Sequence, residues 1–207
     1  MAITIGVKYM NPAMILTGSR LITGPLFAFL FIKAMSNGIE NLSIPLLIAA
    51  VVAALLLELS DAFDGMVARA RKEVTALGKI FDPICDAISR QTMFLAFVLT
   101  GIIPWWIFLV FLNRDSLVYL LRIMVAKDGT VMAASWAGKF KAITQAVATF
   151  VILLLVYLES QGIIPPAPTM TWGFWVMLVP VFFTIQSGYE YFKNNWSVIA
   201  KMATPEK

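Results

Sequence analysis

Residues 44–69 read IPLLIAAVVAALLLELSDAFDGMVAR, an apolar run that ends in two aspartates, Asp61 and Asp64. A helix needs about 20 mostly apolar residues to cross the hydrocarbon core of a bilayer. The apolar part, Ile44–Leu59, is slightly shorter, so we expect the helix to continue into the polar residues that follow. This stretch therefore predicts a membrane helix that presents carboxylates at its end.

The composition of the whole chain also indicates a membrane protein. The 207 residues are 60% hydrophobic and 14% charged, and the mean hydropathy is +0.84. Soluble domains carry about 25% charged residues, and a compact soluble core has no room for so much apolar surface. The single cysteine excludes an intrachain disulfide, and the length suits one domain over residues 1–207.

Six apolar segments qualify as transmembrane helices. They are Leu21–Ala34, Ile44–Leu59, Ile88–Ile103, Trp105–Val125, Ile143–Leu158 and Trp172–Phe192. The first three are short, and we expect each to extend as helix into its polar neighbours. Residues 3–10 are predicted to form a small amphipathic segment at the membrane surface. The predicted fold is an all-α membrane protein with six transmembrane helices and a short N-terminal amphipathic segment.

The basic residues are distributed unevenly among the loops. Lysine and arginine concentrate before segment one, between segments two and three, between four and five, and after six, whereas the opposite loops carry only Lys33. The positive-inside rule then places both termini and the aspartates on the cytoplasmic side of the cell membrane. The net charge of +4, with no basic patch interleaved with aromatic residues, favours a lipid surface over nucleic acid as partner.

Two pairs of aspartates carry the most informative chemistry. Asp61 and Asp64 are three residues apart, and Asp82 and Asp86 are four apart, so each pair lies on one helix face. Two neighbouring helices can aim all four carboxylates at one point, where their repulsion calls for positive charge. The chain has no histidine, so any metal would have oxygen ligands, as magnesium, manganese and calcium prefer. Two such ions serve phosphoryl transfer well.

The residues beside the aspartates suit a phosphate-bearing ligand. Gly65 and Ala68 are small and let a bulky ligand approach the backbone, while Arg69 can bind phosphate. Asp86 lies deepest toward the membrane on this helix assignment, which suits a base acting on a hydroxyl. Two other interpretations are charges on a solvated helix end and a small ion or metal transporter. A transporter would need carboxylates deep in several helices, whereas these cluster at one edge.

The pattern Asp61-x2-Asp64-Gly65-x2-Ala68-Arg69-x8-Gly78-x3-Asp82-x3-Asp86 resembles the signature of the CDP-alcohol phosphotransferases. The resemblance implies six transmembrane helices, usually in a homodimer, and a cytoplasm-facing active site where an acceptor hydroxyl attacks the β-phosphoryl group and CMP leaves. It implies two divalent ions, Mg²⁺ or Mn²⁺, held by Asp61, Asp64, Asp82 and Asp86, with Asp86 also serving as catalytic base. It implies a CDP pocket lined by Asp61, Gly65, Ala68, Arg69 and Gly78.

Three further stretches are similar to the phosphatidylglycerophosphate synthase branch of that family. They are residues 11–20 (NPAMILTGSR), Arg114-Asp115 with Leu121-Arg122 and residues 137–142 (AGKFKA), and residues 187–192 (SGYEYF). This resemblance implies CDP-diacylglycerol as donor, with Asn11 and Thr17 as further contacts to it. It also implies glycerol 3-phosphate as the small polar acceptor, bound by Arg114, Arg122, Lys139 and Lys141.

Some of these assignments have alternatives. Lys139 and Lys141 could instead form a cytoplasmic rim against lipid headgroups, and Arg114 could simply pair with Asp115. Ala87 stands where the branch commonly has lysine, and Arg90 follows about one helical turn later. Other acceptors therefore remain open, namely inositol phosphate, serine, or diacylglycerol with a CDP-alcohol donor.

Overall fold

The computed structural model describes residues 12–70, 76–127, 136–165 and 169–202. Within these ranges the chain forms helices and connecting turns and no strand, which confirms the all-α prediction there. The α-helices are α1 (Pro12–Ala34), α2 (Ile44–Ala70), α3 (Ala76–Leu99), α4 (Trp105–Lys127), α5 (Trp136–Ser160), α6 (Thr169–Asn194) and α7 (Trp196–Met202). A 3₁₀ turn, Ile39–Asn41, lies between α1 and α2. The predicted amphipathic segment at residues 3–10 falls outside the described residues.

The short apolar segments do extend into their polar neighbours. The first, predicted from Leu21, belongs to a helix that begins at Pro12, and the helix of the third begins at Ala76 rather than Ile88. The predicted end of the third segment at Ile103 is wrong, because α3 ends at Leu99. Gly101 then adopts a φ of +73°, a left-handed conformation that commonly ends helices.

Three helices are long and apolar enough to cross a membrane among the described residues. They are Met14–Ala34, Ile44–Asp61 and Trp136–Ser160. Large apolar side chains such as Ile22, Phe29 and Phe182 stand exposed on the helix surfaces, an arrangement that suits contact with lipid. The chain is therefore a membrane protein, and the remaining three of the six spans stay predictions.

The chain folds as two compact units, one up to Thr100 and the other from Gly101 onward. In the first unit, Phe27 and Phe31 on α1 pack against Phe97 on α3, and the Phe31 and Phe97 ring centroids are 5.2 Å apart in an edge-to-face contact. A Cβ atom at Gly24 would lie 2.8 Å from the Cα atom of Ser89. The lack of a side chain at Gly24 therefore lets α1 approach α3 closely.

The second unit contains α4 to α7. Its buried cluster joins Val118, Leu121 and Val125 of α4 to Tyr191 of α6. Val198 and Ile199 of the short helix α7 pack against this cluster. The apolar face of α7 thus anchors the end of the described chain to α4.

Candidate active site

Arg20 joins the two halves of the predicted aspartate site. Its side chain on α1 is fully buried, and its Nη1 atom lies 3.0 Å from Asp61 Oδ1 on α2 and 3.1 Å from Asp82 Oδ1 on α3. Because both carboxylates contact the same nitrogen atom, they lie side by side. The structure thus brings together two of the four predicted aspartates, from different helices, with a cation between them.

Local contacts fix the position of Arg20. Its Nε–H donates to the hydroxyl of Ser60 over 3.5 Å, and that hydroxyl in turn donates to the carbonyl of Leu16 over 3.1 Å. The Ser89 hydroxyl lies 3.0 Å from the carbonyl oxygen of Arg20. Together with the close approach at Gly24, these bonds connect α1 to both aspartate-bearing helices. The arginine is therefore held in place by its surroundings and not only by its two carboxylate partners.

A second buried arginine contacts Asp86. Arg90 Nε lies 3.0 Å from Asp86 Oδ1, one helical turn earlier on α3. The two terminal nitrogens of Arg90 donate to the two carboxylate oxygens of Glu58 on α2, over 2.9 and 3.2 Å. Glu58 lies one turn before Asp61 in α2, so this contact links the same two helices at a neighbouring level.

The carboxylates are more exposed than the arginines that contact them. The side chains of Asp61, Asp82 and Asp86 are 41%, 45% and 27% exposed, against 0% for Arg20 and 5% for Arg90. The arginines lie on the protein side of the carboxylates, whose other side is accessible. With Glu58, the described side chains here carry four negative and two positive charges, and the excess of negative charge suits a divalent cation.

Other predicted residues of this site are only partly described. Asp64, Gly65, Ala68 and Arg69 belong to the last turns of α2, and Gly78 to the first turn of α3; their side chains lie outside the described set, as does Asn11 altogether. Thr17 is buried on α1, nearly one turn before Arg20. Among the side chains that the structure describes, no three potential ligands form a ready metal site. The carboxylate oxygens present are nevertheless the donors that hard divalent cations prefer.

In the second unit, Asp115 forms ion pairs with two of the four predicted acceptor-binding cations. Lys141 Nζ on α5 lies 2.7 Å from Asp115 Oδ1 on α4, and Arg114 Nη1 lies 2.9 Å from the same oxygen. Lys141 and Asp115 are buried, and the Arg114 guanidinium lies 5.3 Å from the ring centroid of Tyr191. The pairing with Asp115 that the sequence offered as an alternative for Arg114 is therefore present.

The other two predicted acceptor-binding cations have different surroundings. Lys139 Nζ lies 4.5 Å from the ring centroid of Trp136, a largely exposed side chain at the start of α5. Arg122 is half-buried on α4, and its Nε has no hydrogen-bond partner in the described part of the chain. Lys141 is thus buried, whereas Lys139 lies on the surface, although the two are only two positions apart in the sequence.

The roles that Arg20 and Glu58 take in these contacts were not predicted from the sequence. Each is a charged residue in a mostly apolar helix, and such residues face a partner because an unpaired charge there is costly. The sequence alone therefore indicates that Arg20 and Glu58 each contact a partner. It does not identify the partner, because the partner depends on how three helices pack.

Comparisons with known proteins point to one family. The family model described as CDP-alcohol phosphatidyltransferase matches residues 10–186. A Bacillus subtilis (strain 168) protein named CDP-diacylglycerol–glycerol-3-phosphate 3-phosphatidyltransferase is 30% identical over 188 residues, covering 89% of this chain and 94% of the relative. A Treponema pallidum (strain Nichols) protein of the same name is 30% identical over 158 residues, covering 75% and 73%.

A third relative carries a related name. The "Probable phosphatidylglycerophosphate synthase" of Mycobacterium tuberculosis (strain CDC 1551 / Oshkosh) is 32% identical over 181 residues, covering 87% of this chain and 79% of the relative. The family match spans most of the chain and includes Arg20 and all four aspartates. This chain therefore belongs to the CDP-alcohol phosphatidyltransferase family and is an enzyme of that class.

Proposed function

We propose that this enzyme transfers the phosphatidyl group of CDP-diacylglycerol to glycerol 3-phosphate, releasing CMP and forming phosphatidylglycerol phosphate. The observation that carries the proposal is the pair Asp61 and Asp82, held side by side on the buried Arg20 with their other faces accessible. The relatives that match this chain along most of its length are named for this donor and acceptor.

The four aspartates would hold the metal on which this family generally depends. We assign two divalent ions, Mg²⁺ or Mn²⁺, to Asp61, Asp64, Asp82 and Asp86. The excess of negative charge among the described side chains supports this assignment. Bound divalent ions stabilise charge that develops on phosphoryl oxygens during transfer.

The chain's own residues would then bind the donor and accept a proton. Asp61, Gly65, Ala68, Arg69 and Gly78 line the CDP pocket in this proposal, with Asn11 and Thr17 as further contacts. Asp86 takes the proton of the acceptor hydroxyl. The acceptor oxygen forms a bond to the phosphorus that carries diacylglycerol, the bond from that phosphorus to the CMP phosphate breaks, and CMP leaves with the bonding electrons. The accessible carboxylate of Asp86 supports this role.

Four cations of the second unit would bind the acceptor phosphate. Arg114, Arg122, Lys139 and Lys141 carry four positive charges, of which Asp115 offsets one. The net positive charge of these five residues favours an anionic alcohol over serine, which has no net charge. Asp115 would orient Arg114 and Lys141, since both contact the same carboxylate oxygen.

The membrane arrangement is also part of the proposal. Both termini in the cytoplasm and a cytoplasm-facing site in the cell membrane fit the charge distribution of the loops. Six transmembrane helices and a homodimer are included because the resemblance to the family implies them. Cysteine-accessibility labelling of single-cysteine variants in intact cells would test the orientation. Labelling of either terminus from outside the cell would contradict it.

An acceptor screen tests the proposed reaction. The purified enzyme, with Mg²⁺ and CDP-diacylglycerol, is given glycerol 3-phosphate, inositol phosphate or serine, and a separate arm pairs diacylglycerol with a CDP-alcohol. We expect CMP release with glycerol 3-phosphate and little with the others. CMP release only with another acceptor would replace the proposed substrate, and no CMP in any arm would contradict the proposed reaction.

A further inference from the structure

Arg90 uses all three nitrogens of its guanidinium group on two carboxylates. Its terminal nitrogens bond both oxygens of Glu58, over 2.9 and 3.2 Å, and its Nε lies 3.0 Å from Asp86 Oδ1. The arginine is 4% exposed. A planar guanidinium held bidentately has a fixed orientation, so the direction of its Nε–H is fixed too.

This arrangement does more than neutralise charge. Because Glu58 occupies both terminal nitrogens, Arg90 contacts Asp86 through Nε and through a single carboxylate oxygen. Among the described side chains, none forms a hydrogen bond or ion pair with Asp86 Oδ2. Stability alone does not explain a buried cluster of this kind, since well-packed apolar residues often stabilise a protein as well as a buried ion pair does.

We infer that Glu58 and Arg90 are positioning residues: Glu58 orients Arg90, and Arg90 holds Asp86 Oδ1 so that Oδ2 stays available for the reaction. The inference rests on the proposed function, in which Asp86 is the base and a metal ligand. Glu58 and Arg90 themselves touch neither substrate nor metal in this account. Their effect passes through the position of one carboxylate.

The two residues should therefore act as a unit. In Glu58→Gln the terminal nitrogens of Arg90 lose a charged partner and can turn to bind both oxygens of Asp86. In Arg90→Gln the Glu58 carboxylate remains without its cation, beside Asp86 and Asp61, and repels both. The double variant removes both the arginine and the Glu58 carboxylate. No arginine can then turn toward Asp86, and no unpaired Glu58 carboxylate repels Asp86 and Asp61.

Steady-state kinetics of these three variants and wild type test the inference. Each single variant should lower kcat about tenfold or more, as misplaced catalytic groups do, while KM for CDP-diacylglycerol changes by less than about twofold. The double variant should be less impaired than the product of the two single effects predicts. Mn²⁺ binding without substrate, followed by electron paramagnetic resonance, should weaken about tenfold in the single variants.

Thr92→Val is the matched control on the same helix. The Thr92 hydroxyl donates only to the carbonyl of Ile88 in its own helix, over 2.7 Å, so kcat and Mn²⁺ binding should stay at wild-type values. Arg90→Lys covers the case in which Arg90→Gln does not fold. A lysine keeps the charge but, as a point charge, cannot hold Glu58 bidentately and orient Asp86 together, so kcat should still fall severalfold.

Several results would overturn the inference. They are kcat within about twofold of wild type in folded single variants, strictly additive effects in the double variant, or losses that only follow the folded fraction measured by thermal denaturation. Failure of the proposed function looks different, since wild type would then release no CMP with glycerol 3-phosphate. The Mn²⁺ measurement, which uses no substrate, tests the positioning of Asp86 in either case.

Discussion

The guanidinium of Arg20 on α1 lies 3.1 Å from the carboxylate of Asp82 on α3, and the same nitrogen contacts Asp61 on α2. One buried cation thus connects the first three helices at the aspartate site. The signature of this family concentrates on α2 and α3. The structure shows that α1 supplies the counter-charge that holds two of its aspartates side by side.

Replacing Arg20 should disable the site. Arg20→Gln leaves Asp61 and Asp82 adjacent without their shared cation, and breaking a buried ion pair of this kind costs about 3 kcal/mol or more before allowance for the exposed carboxylate faces. CMP release should fall about 100-fold, and the melting temperature in detergent should drop. Lys33→Gln, at the other end of the same helix, serves as control. Near wild-type turnover in Arg20→Gln would show that the aspartates do not need this cation.

Gly24 should tolerate no side chain. A Cβ atom there would lie 2.8 Å from Ser89 Cα and 3.1 Å from Ser89 O, so Gly24→Ala must push α1 away from α3 and move Arg20 with it. We expect a loss of about 1–3 kcal/mol in the free energy of unfolding, as for other overpacked contacts. The measurement is thermal denaturation in detergent, with CMP release as a second readout.

Gly18→Ala is the matched control for Gly24→Ala. The nearest atom to a Cβ at Gly18 is Phe81 Cε1 at 3.9 Å, an ordinary contact. Alanine also favours a helix by up to about 1 kcal/mol over glycine, so Gly18→Ala should be neutral or stabilising. Equal destabilisation of the two variants would mean that the close approach of α1 to Ser89 on α3 does not determine whether position 24 tolerates a side chain.

Lys141 and Lys139 should differ in their effect on the acceptor. Lys141 is buried against Asp115, whereas Lys139 lies over the exposed ring of Trp136. Lys141→Gln should raise KM for glycerol 3-phosphate about tenfold or more, because a buried charged hydrogen bond is lost together with the orientation of its partner. Lys139→Gln should raise it about twofold at most, as expected for a rim charge. A larger effect at Lys139 would reverse the assignment.

Asp115 should affect binding of the acceptor, although its own negative charge would repel the acceptor phosphate. Asp115→Asn leaves Lys141 and Arg114 without the carboxylate that orients both. We expect a higher KM for glycerol 3-phosphate and a little-changed KM for CDP-diacylglycerol. The melting temperature should fall, because the buried Lys141 and the partly buried Arg114 are left close together without their carboxylate. An unchanged KM for the acceptor in a folded Asp115→Asn enzyme would remove Asp115 from the acceptor site.

Much of the fold could be predicted from the sequence. Apolar runs predicted the helices, and the expectation that short runs extend into polar residues is confirmed, most clearly for α3, which begins at Ala76. The end of α3 was missed because the apolar run continues to Ile103, while backbone conformation at Gly101 ends the helix earlier. Local composition indicates where a helix is apolar but only weakly where it stops.

The sequence predicted which residues form the candidate site but not how their side chains pair. Helical spacing alone predicted Asp61 and Asp64 on one helix face and Asp82 and Asp86 on one face of another helix. The pairing of Arg90 with Glu58 and of Lys141 with Asp115 joins side chains from different helices. Such contacts depend on the packing angle and on close approaches such as that at Gly24, which a single sequence does not encode locally.

The most direct test of the central claim follows label from glycerol 3-phosphate into lipid. Purified enzyme is given radiolabelled glycerol 3-phosphate and CDP-diacylglycerol, with Mg²⁺ or with a chelator, and lipid-soluble label and CMP are measured together. We predict label and CMP in equal amounts with Mg²⁺, and neither with the chelator nor in Asp86→Asn. Mg²⁺-independent labelling, full activity in Asp86→Asn, or CMP release without labelled lipid would contradict the account.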